Sequence, residues 1–290
     1  MYNGSMVALI TPFNNGEVDF NTLEELVHFH LKSGTDGIVP CGTTGESPTL
    51  SYPEHRQVIE RVVKIVNGKI PVIAGTGSNS TAEAIELTAF AKKAGADASL
   101  QVTPYYNKPT QEGFFQHFAA IAEEVDLPMV LYNIPGRCGA GMTAQTIARL
   151  SKIENIVAVK EATGQLDMSS EIASLCDITI LSGDDSLTLP ICSVGGKGVI
   201  SVVANVVPAD VKAMTDLILE GDLVSARKWH NKLFKLSKTM LSLATNPIPV
   251  KAAMAMLGMS SDEMRLPMTP LEDAQKDTLR KLLRDYGLNV

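Results

Sequence analysis

The sequence predicts an α/β protein, a (β/α)8 barrel of the TIM type followed by a C-terminal helical extension. Short apolar runs alternate with longer amphipathic stretches, which is the pattern of repeated βα units and a parallel sheet. Eight such runs occur, each followed by a helical pattern: residues 6–10, 37–40, 72–74, 99–103, 129–132, 156–159, 179–181 and 198–202. Eight units are the number that closes a barrel of this type. A doubly wound open sheet is the alternative fold.

The eight units occupy residues 1–222, which we expect to form one barrel domain. Residues 223–290 are rich in helix formers and are expected to form helices appended to it. Within the barrel, Ser51 is predicted to cap the N-terminus of a helix, and the Asn67-Gly68 pair to end it.

Composition excludes several classes of protein. Lys plus Arg total 25 against 32 Asp plus Glu, and the formal net charge of −7 argues against a nucleic-acid or anionic-membrane surface. The four cysteines are spread singly, which indicates neither a zinc cage nor a disulfide framework. The N-terminal residues lack the pattern of a secretory signal, and no apolar run approaches the ~20 residues of a membrane helix, so we expect a cytoplasmic protein.

Lys160 stands directly at the C-terminal end of the sixth apolar run. Ligands bind parallel α/β sheets at this end of the strands. Burial lowers the pKa of a lysine and yields the neutral amine that attacks a carbonyl carbon, so the sequence predicts a Schiff-base nucleophile. An isolated lysine at a strand end more often reaches solvent or pairs with a carboxylate, and only the neighbouring motifs favour chemistry.

The loop at residues 41–47 follows the second run and presents the hydroxyls of Thr43 and Thr44 with several backbone N–H groups. Glycine-spaced loops of this kind hold carboxylates. Capping of the next helix by the threonines is an equally common use of such a loop.

Tyrosines and an arginine follow the fourth and fifth runs. Tyr105 and Tyr106 lie on a proline-bracketed loop, and Tyr132 ends a strand that precedes the one ending in Lys160. A phenol can relay protons, and Tyr132 is placed to protonate a hydroxyl that leaves a lysine adduct. Arg137 follows a Pro-Gly turn, and its planar guanidinium can hold a carboxylate at two points. Taken singly, each tyrosine is more often a packing residue, and the arginine as often makes a surface ion pair.

Two weaker motifs favour other classes of site. The stretch GTGSNS at residues 75–80 partly imitates a dinucleotide-binding loop, but serine replaces the third glycine. Asp184-Asp185 suggests a divalent metal, yet no histidine marks a strand end. We expect these aspartates to cap a helix and to fix the loop after the seventh strand.

Sequence blocks over nearly the whole chain resemble the 4-hydroxy-tetrahydrodipicolinate synthase (dihydrodipicolinate synthase) family, within the class I pyruvate aldolases that include N-acetylneuraminate lyase. The blocks follow the family's order: GTTGE at 42–46, YYNKP at 105–109, YNIPGR at 132–137, VKEATG at 159–164, SGDD at 182–185 and NPIPVK at 246–251. Together they are highly specific.

The resemblance implies that Lys160 forms a Schiff base with pyruvate. It further implies a proton relay of Thr43, Tyr132 and Tyr106, in which Tyr106 is lent by the neighbouring subunit. A homo-oligomer is therefore expected, a tetramer built as a dimer of dimers.

The same resemblance implies the substrate contacts. It places the pyruvate carboxylate on the backbone of Thr43 and Thr44, the carbonyl of Ile200 near the site, and Gly183 among the binding residues. The carboxylate of the aldehyde substrate is expected on Arg137.

The implied activity is that of a lyase that condenses pyruvate with L-aspartate 4-semialdehyde, the first committed step of diaminopimelate and lysine biosynthesis. The protonated imine is an electron sink, so no metal and no organic cofactor is expected. Arg137 favours this substrate because a sugar presents hydroxyls where a short amino-acid aldehyde presents a carboxylate. A related lyase, such as an N-acetylneuraminate or 2-keto-3-deoxy sugar-acid aldolase, and a non-catalytic sensor barrel remain the alternatives.

The resemblance also implies feedback inhibition by L-lysine at a subunit interface. The matching positions are Ser47, His55, Asn79, Glu83 and Tyr105. Tyr52 stands where some lysine-sensitive relatives carry histidine.

Overall fold

The computed structural model describes residues 2–290. Its strands are β1 (Gly4–Ala8), β2 (Phe13–Asn14), β3 (Glu17–Val18), β4 (Gly37–Val39), β5 (Ile73–Gly75), β6 (Ala98–Val102), β7 (Met129–Asn133), β8 (Ile156–Glu161), β9 (Thr179–Ser182) and β10 (Gly198–Ser201). Its helices are α1 (Phe20–Lys32), α2 (Tyr52–Val66), α3 (Thr81–Ala94), α4 (Gln111–Glu124), α5 (Pro135–Cys138), α6 (Ala144–Leu150), α7 (Leu166–Leu175), α8 (Thr188–Ser193), α9 (Pro208–Leu219), α10 (Leu223–Ser242), α11 (Ile248–Met256) and α12 (Asp273–Tyr286).

Eight of the strands form one parallel sheet that closes on itself. Their order is β4-β1-β10-β9-β8-β7-β6-β5. The two end strands meet, because Ile38 of β4 bridges Val72 just before β5, and the Gly75 N–H donates to the Pro40 carbonyl at 2.9 Å. Every predicted apolar run is a strand of this sheet. The (β/α)8 barrel is therefore confirmed, and the open-sheet alternative is wrong.

Alternate residues of each strand face the inside of the barrel. In β8, Ala158 belongs to the apolar cluster of the barrel interior, and Val159 belongs to a second cluster shared with the surrounding helices. This period of two follows from the pleat of a strand. Lys160 shares the inward side with Ala158, and strand pairing puts it directly opposite Tyr132 of β7.

The predicted limits of α2 are confirmed. The Ser51 hydroxyl accepts the Glu54 N–H, and the Glu54 carboxylate accepts the Ser51 N–H at 2.8 Å, which is a reciprocal capping box. The helix ends at Asn67, whose φ of 49° is left-handed, a conformation that asparagine tolerates better than most residues.

The last three helices, α10 to α12, follow the barrel, as expected for a helical extension. Leu233, Leu236 and Met240 of α10 are buried in one cluster with Val7 of β1, so the extension packs against the barrel rather than forming a core of its own. The domain boundary at residue 222 stays a prediction. No helix within residues 2–290 has both the length and the apolar character to cross a membrane.

The hairpin of β2 and β3 was not predicted from the sequence. Its strands have two residues each, too short for a periodic pattern, and it turns at Asn15 and Gly16, which both have positive φ. An Asn-Gly pair is the residue choice that a tight hairpin turn requires.

Candidate active site

Lys160 lies at the inner, C-terminal end of β8 and is 5% exposed. Its Nζ lies 4.2 Å from the centroid of the Tyr132 ring. Burial lowers the pKa of Lys160 to about 8, the carboxylate of Asp185 acts to raise it, and Arg137 lowers it further. About a tenth of the amine is therefore neutral at pH 7, far more than for a lysine with the usual pKa, and only the neutral amine is a nucleophile.

Gly183 leaves the space that the Lys160 side chain occupies. A Cβ at Gly183 would lie 3.1 Å from the Lys160 Cε and 2.7 Å from the Ala162 Cβ. Both distances are shorter than ordinary contacts between carbon atoms. The loop after β9 can approach the amine this closely only with glycine.

Tyr132 is the phenol next to the amine. Burial raises the pKa of Tyr132 to about 12, while Arg137 and the nearby Thr43 hydroxyl act to lower it. The phenol consequently stays protonated at neutral pH and can act as a proton donor. Thr43 lies on the loop after β4.

A cavity of about 390 Å³ and a second one of about 580 Å³ open at this end of the barrel. The larger one contains Lys160, and its lining includes most of the predicted catalytic and substrate-binding residues: Thr43, Thr44, Tyr132, Arg137, Lys160 and Gly183. The sequence places these six residues at the ends of four strands or on the loops that follow them, and the barrel brings them together.

Arg137 lies on the short helix α5, directly after β7. One of its terminal nitrogens donates to the backbone carbonyl of Asn246 at 3.0 Å. The Asn246 amide nitrogen donates in turn to the Thr44 hydroxyl at 3.0 Å. Asn246 was not predicted as a site residue, although it begins one of the six sequence blocks; it comes from the extension and joins residues of two barrel loops.

Of the two aspartates after β9, Asp184 has the capping role that the sequence predicts, whereas Asp185 contacts the loop after the eighth barrel strand rather than its own loop. The Asp184 carboxylate accepts the Ser186 N–H at 2.8 Å and caps a short helical turn. The buried Asp185 accepts the Ser201 hydroxyl at 2.5 Å and the Val202 N–H at 2.9 Å, which fixes the loop after β10. Its electrostatic effect on Lys160 was not predicted, because no pattern in the sequence brings these residues together.

Two predicted residues lie away from the Lys160 cavity within one chain. Tyr106 is 90% exposed and has a φ of 72°, a strained value for a non-glycine residue. Ile200 is buried in the apolar interior of the barrel, and the neighbouring Val202 lines the cavity instead.

The smaller cavity gathers most residues of the predicted lysine site. Its lining includes Ser47, His55, Glu83 and Tyr105, together with Tyr52. Asn79 does not line it, but the Asn79 side chain donates to the Tyr105 carbonyl at 3.1 Å. Thr43, Ile134 and Arg137 line both cavities, so the two are neighbours.

The glycines of the GTGSNS stretch serve backbone packing. A Cβ at Gly75 would lie 2.1 Å from the Cys41 carbonyl oxygen, and one at Gly77 would lie 2.4 Å from the Val102 nitrogen. Close approach of neighbouring backbones therefore accounts for both glycines, without a dinucleotide.

Comparison with known proteins agrees with this geometry. The model of the dihydrodipicolinate synthetase family matches residues 1–286. A 4-hydroxy-tetrahydrodipicolinate synthase of Geotalea daltonii is 55% identical over 99% of this chain and 100% of its own length.

Solved structures give the same result. Dihydrodipicolinate synthase from Aquifex aeolicus superimposes with a TM-score of 0.97 at 52% identity, covering 99% of both chains. The enzyme from Acinetobacter baumannii, complexed with pyruvate, superimposes with a TM-score of 0.97 at 45% identity over 99% of both chains. The lysine-bound enzyme from Cyanidioschyzon merolae superimposes with a TM-score of 0.95 at 42% identity, again over 99% of both chains. This chain belongs to the dihydrodipicolinate synthetase family.

Proposed function

We propose that this protein is a lyase of the class I aldolase type that condenses pyruvate with L-aspartate 4-semialdehyde to 4-hydroxy-tetrahydrodipicolinate, the first committed step of diaminopimelate and lysine biosynthesis. The observation that carries the proposal is the buried Lys160 amine, set against the Tyr132 ring with its pKa lowered to about 8. The names of the full-length relatives support the same activity.

The reaction begins with attack of the neutral Lys160 amine on C2 of pyruvate. The carbonyl oxygen takes a proton and becomes a hydroxyl, and a second proton from the Tyr132 phenol lets it leave as water. The product is a protonated imine, and Tyr132 is left as a phenolate. The high pKa of this phenol, about 12, makes its anion a strong base for the next step.

The imine nitrogen draws electrons from C3 of the bound pyruvate, and C3 gives a proton back to Tyr132. The resulting enamine carbon attacks the aldehyde carbon, whose oxygen takes the proton back from Tyr132 and becomes the hydroxyl of the product. The amine of the condensed molecule then attacks C2, gives a proton to the Tyr132 phenolate, closes the ring and releases Lys160. One water is lost overall, and the imine is the electron sink, so no cofactor takes part.

The substrate carboxylates need separate partners. We assign the pyruvate carboxylate to the backbone of Thr43 and Thr44, near Gly183 and the Ile200 carbonyl. The carboxylate of the aldehyde substrate is assigned to Arg137, which lines the same cavity as Lys160. A guanidinium fork binds a carboxylate in bidentate fashion, which a sugar hydroxyl cannot match.

We further propose a homo-oligomer, a dimer of dimers, in which Tyr106 enters the cavity of a neighbouring copy and completes the relay with Thr43 and Tyr132. The exposure and the strained backbone of Tyr106 support this role. Strain of this kind is retained where function requires it.

The smaller cavity is proposed to bind L-lysine as a feedback inhibitor. Glu83 supplies a carboxylate for an ammonium group, and the lining residues Ser47, His55 and Tyr105 supply polar groups around it. The lysine-bound relative supports this assignment. Because Thr43 and Arg137 line both cavities, a ligand in one contacts residues of the other.

The test is an activity assay with defined substrates. Purified protein is expected to form the cyclic product from pyruvate and L-aspartate 4-semialdehyde. At a pH well above the Lys160 midpoint, Arg137→Gln is expected to raise KM for the aldehyde far more than KM for pyruvate. Release of pyruvate from N-acetylneuraminate or a 2-keto-3-deoxy sugar acid, without product from the aldehyde, would overturn the assignment in favour of a related lyase.

A further inference from the structure

A buried ion pair joins the helical extension to the loop that carries Thr43 and Thr44. The Nζ of Lys251, in α11, lies 2.6 Å from the Oε1 of Glu46, which follows the two threonines by two residues. The side chains are 0% and 2% exposed. The two residues are 205 positions apart in the chain, so the pair connects segments that share no local structure.

The surroundings of the pair satisfy its remaining polar atoms. Lys251 Nζ donates to the Thr11 carbonyl at 3.0 Å and lies 4.2 Å from the centroid of the Phe13 ring. The other Glu46 oxygen accepts the backbone N–H of Arg265 at 3.3 Å. The ion pair is therefore held in one place by groups from the first loop and from the extension.

The conformation of the threonine loop depends on Glu46. This residue has a left-handed φ of 52°, and its N–H donates to the Thr43 carbonyl at 3.1 Å. The Thr11 hydroxyl donates to the Gly45 carbonyl at 2.7 Å, next to the same turn. The ion pair thus lies directly behind the two threonines that line the Lys160 cavity.

A buried ion pair is a poor device for stability alone. Removal of both charges from water is costly, and well-packed apolar residues often stabilise a fold as well or better. A buried ion pair instead fixes the geometry of the segments that carry it, because the two charged groups find strong hydrogen-bond partners in only one arrangement. A further link from the extension, Asn246 to the Thr44 hydroxyl, contacts the same loop.

We propose that Lys251 and Glu46 are positioning residues that hold the backbone of Thr43 and Thr44 in the geometry that binds the carboxylate of the keto acid. This inference rests on the proposed function. The pair acts through the loop and contacts no substrate, so its loss weakens carboxylate binding and leaves the amine of Lys160 reactive.

The test replaces both charges together, with Lys251→Met and Glu46→Gln in one protein, because removal of one partner leaves a buried charge uncompensated. The double variant is expected to fold, to raise KM for pyruvate at least about tenfold, and to change kcat little. At saturating pyruvate, borohydride is expected to trap the imine on Lys160 as fully as in the wild type.

A matched control neutralises another ion pair of the same extension, Lys276 with Asp262, whose N–O distance is 2.8 Å. The control, Lys276→Met with Asp262→Asn, is expected to leave KM for pyruvate unchanged. A Lys251/Glu46 double variant that folds and keeps the wild-type KM for pyruvate overturns the inference. A double variant that loses only stability, or only kcat, overturns it too. So does an equal rise of the KM for pyruvate in the control.

If the double variant does not fold, the inference is tested by measuring KM for pyruvate in the single variant Glu46→Asp. It keeps the charge and withdraws the carboxylate by one methylene, so it must still raise KM for pyruvate, and an unchanged KM overturns the inference. A wild-type protein that traps no pyruvate rejects the proposed function itself, before any variant is compared.

Discussion

Tyr132 and Lys160 are directly paired residues of neighbouring strands, and their side chains meet inside the barrel with 4.2 Å between the Lys160 Nζ and the Tyr132 ring centroid. The register of β7 and β8 therefore brings the Lys160 amine, the proposed nucleophile, against the ring of Tyr132, the proposed proton donor. Both side chains are nearly inaccessible, at 5% exposure each, and burial shifts their pKa values in opposite directions, towards a neutral amine and a neutral phenol.

The first prediction concerns pH. The pKa of Lys160 is lowered to about 8 from its usual 10.5, and only the neutral amine attacks pyruvate. The rate of imine formation at low pyruvate should therefore rise with pH through about 8 and level off above it. Borohydride quenching at fixed times, followed by mass spectrometry, measures this rate.

Two charged neighbours of Lys160 determine the direction in which its pKa should move when each is replaced. Asp185 raises the pKa of the lysine and Arg137 lowers it. Asp185→Asn should therefore move the midpoint to lower pH, and Arg137→Gln should move it to higher pH. A midpoint near that of a free lysine, or shifts of the reversed sign, would contradict the electrostatic account of the site.

The second prediction concerns Gly183. Gly183→Ala adds a Cβ 3.1 Å from the Lys160 Cε, and the lysine must move. We expect imine formation to slow at least about tenfold and stability to fall by about 1–3 kcal/mol, as overpacking does. Gly136→Ala is the matched control, because Gly136 lines the same cavity and an added Cβ there meets nothing within 4 Å. Equal effects of the two changes would reject the steric role of Gly183.

The third prediction concerns the relay. Tyr132→Phe removes the proton donor and keeps the ring beside the amine, so kcat should fall by about 100- to 10,000-fold with little loss of stability. Thr43→Val should have a smaller effect. If Thr43 acts through the Tyr132 phenol, whose pKa its hydroxyl lowers, the double variant should be hardly worse than Tyr132→Phe alone. Fully additive effects would separate Thr43 from the relay.

The fourth prediction concerns Tyr106, which is 90% exposed in a single chain. If a neighbouring copy uses this phenol, two inactive variants, Lys160→Ala and Tyr106→Phe, should complement each other when their subunits are mixed and reassembled. If the two variants are mixed in equal amounts, about half of the dimers contain one subunit of each, and each of these has one complete site. About one site in four is therefore restored. No recovered activity, with subunit exchange verified by mass spectrometry, would place the Tyr106 phenol outside the relay.

The fifth prediction concerns the smaller cavity. Calorimetric titration with L-lysine should detect binding, and Glu83→Gln should weaken it at least about threefold by removing a carboxylate. Glu86→Gln, on the same helix but outside the cavity lining, is the control. Absence of binding heat in the wild-type protein at millimolar-range lysine would leave Ser47, His55 and Tyr105 as structural residues.

Sequence reasoning identified residues that lie at strand ends. Tyr132 ends the fifth apolar run, Arg137 lies on the turn after it, and Lys160 directly follows the sixth run. Parallel strands bring such positions to one end of a barrel whatever their spacing. The same argument recovered the loop of Thr43 and Thr44. These predictions needed only the count and the limits of the strands, which apolar periodicity supplies.

Long-range contacts of the extension could not be predicted in this way. Asn246 and Lys251 contact loops some 200 residues earlier, with separations of 202 and 205 positions, and no periodic pattern relates them. The charge of Asp185 near Lys160 was missed because the sequence does not show which way a side chain of the loop after β9 points. The β2–β3 hairpin was missed because its strands are too short to alternate.

The most direct test of the central claim is mass spectrometry after borohydride reduction with pyruvate. Wild-type protein is expected to gain one reduced pyruvate, carried on the peptide that contains Lys160, and Lys160→Arg is expected to gain none and to lose the ring-forming activity. A reduced adduct on another residue, or an active Lys160→Arg variant, would contradict the account.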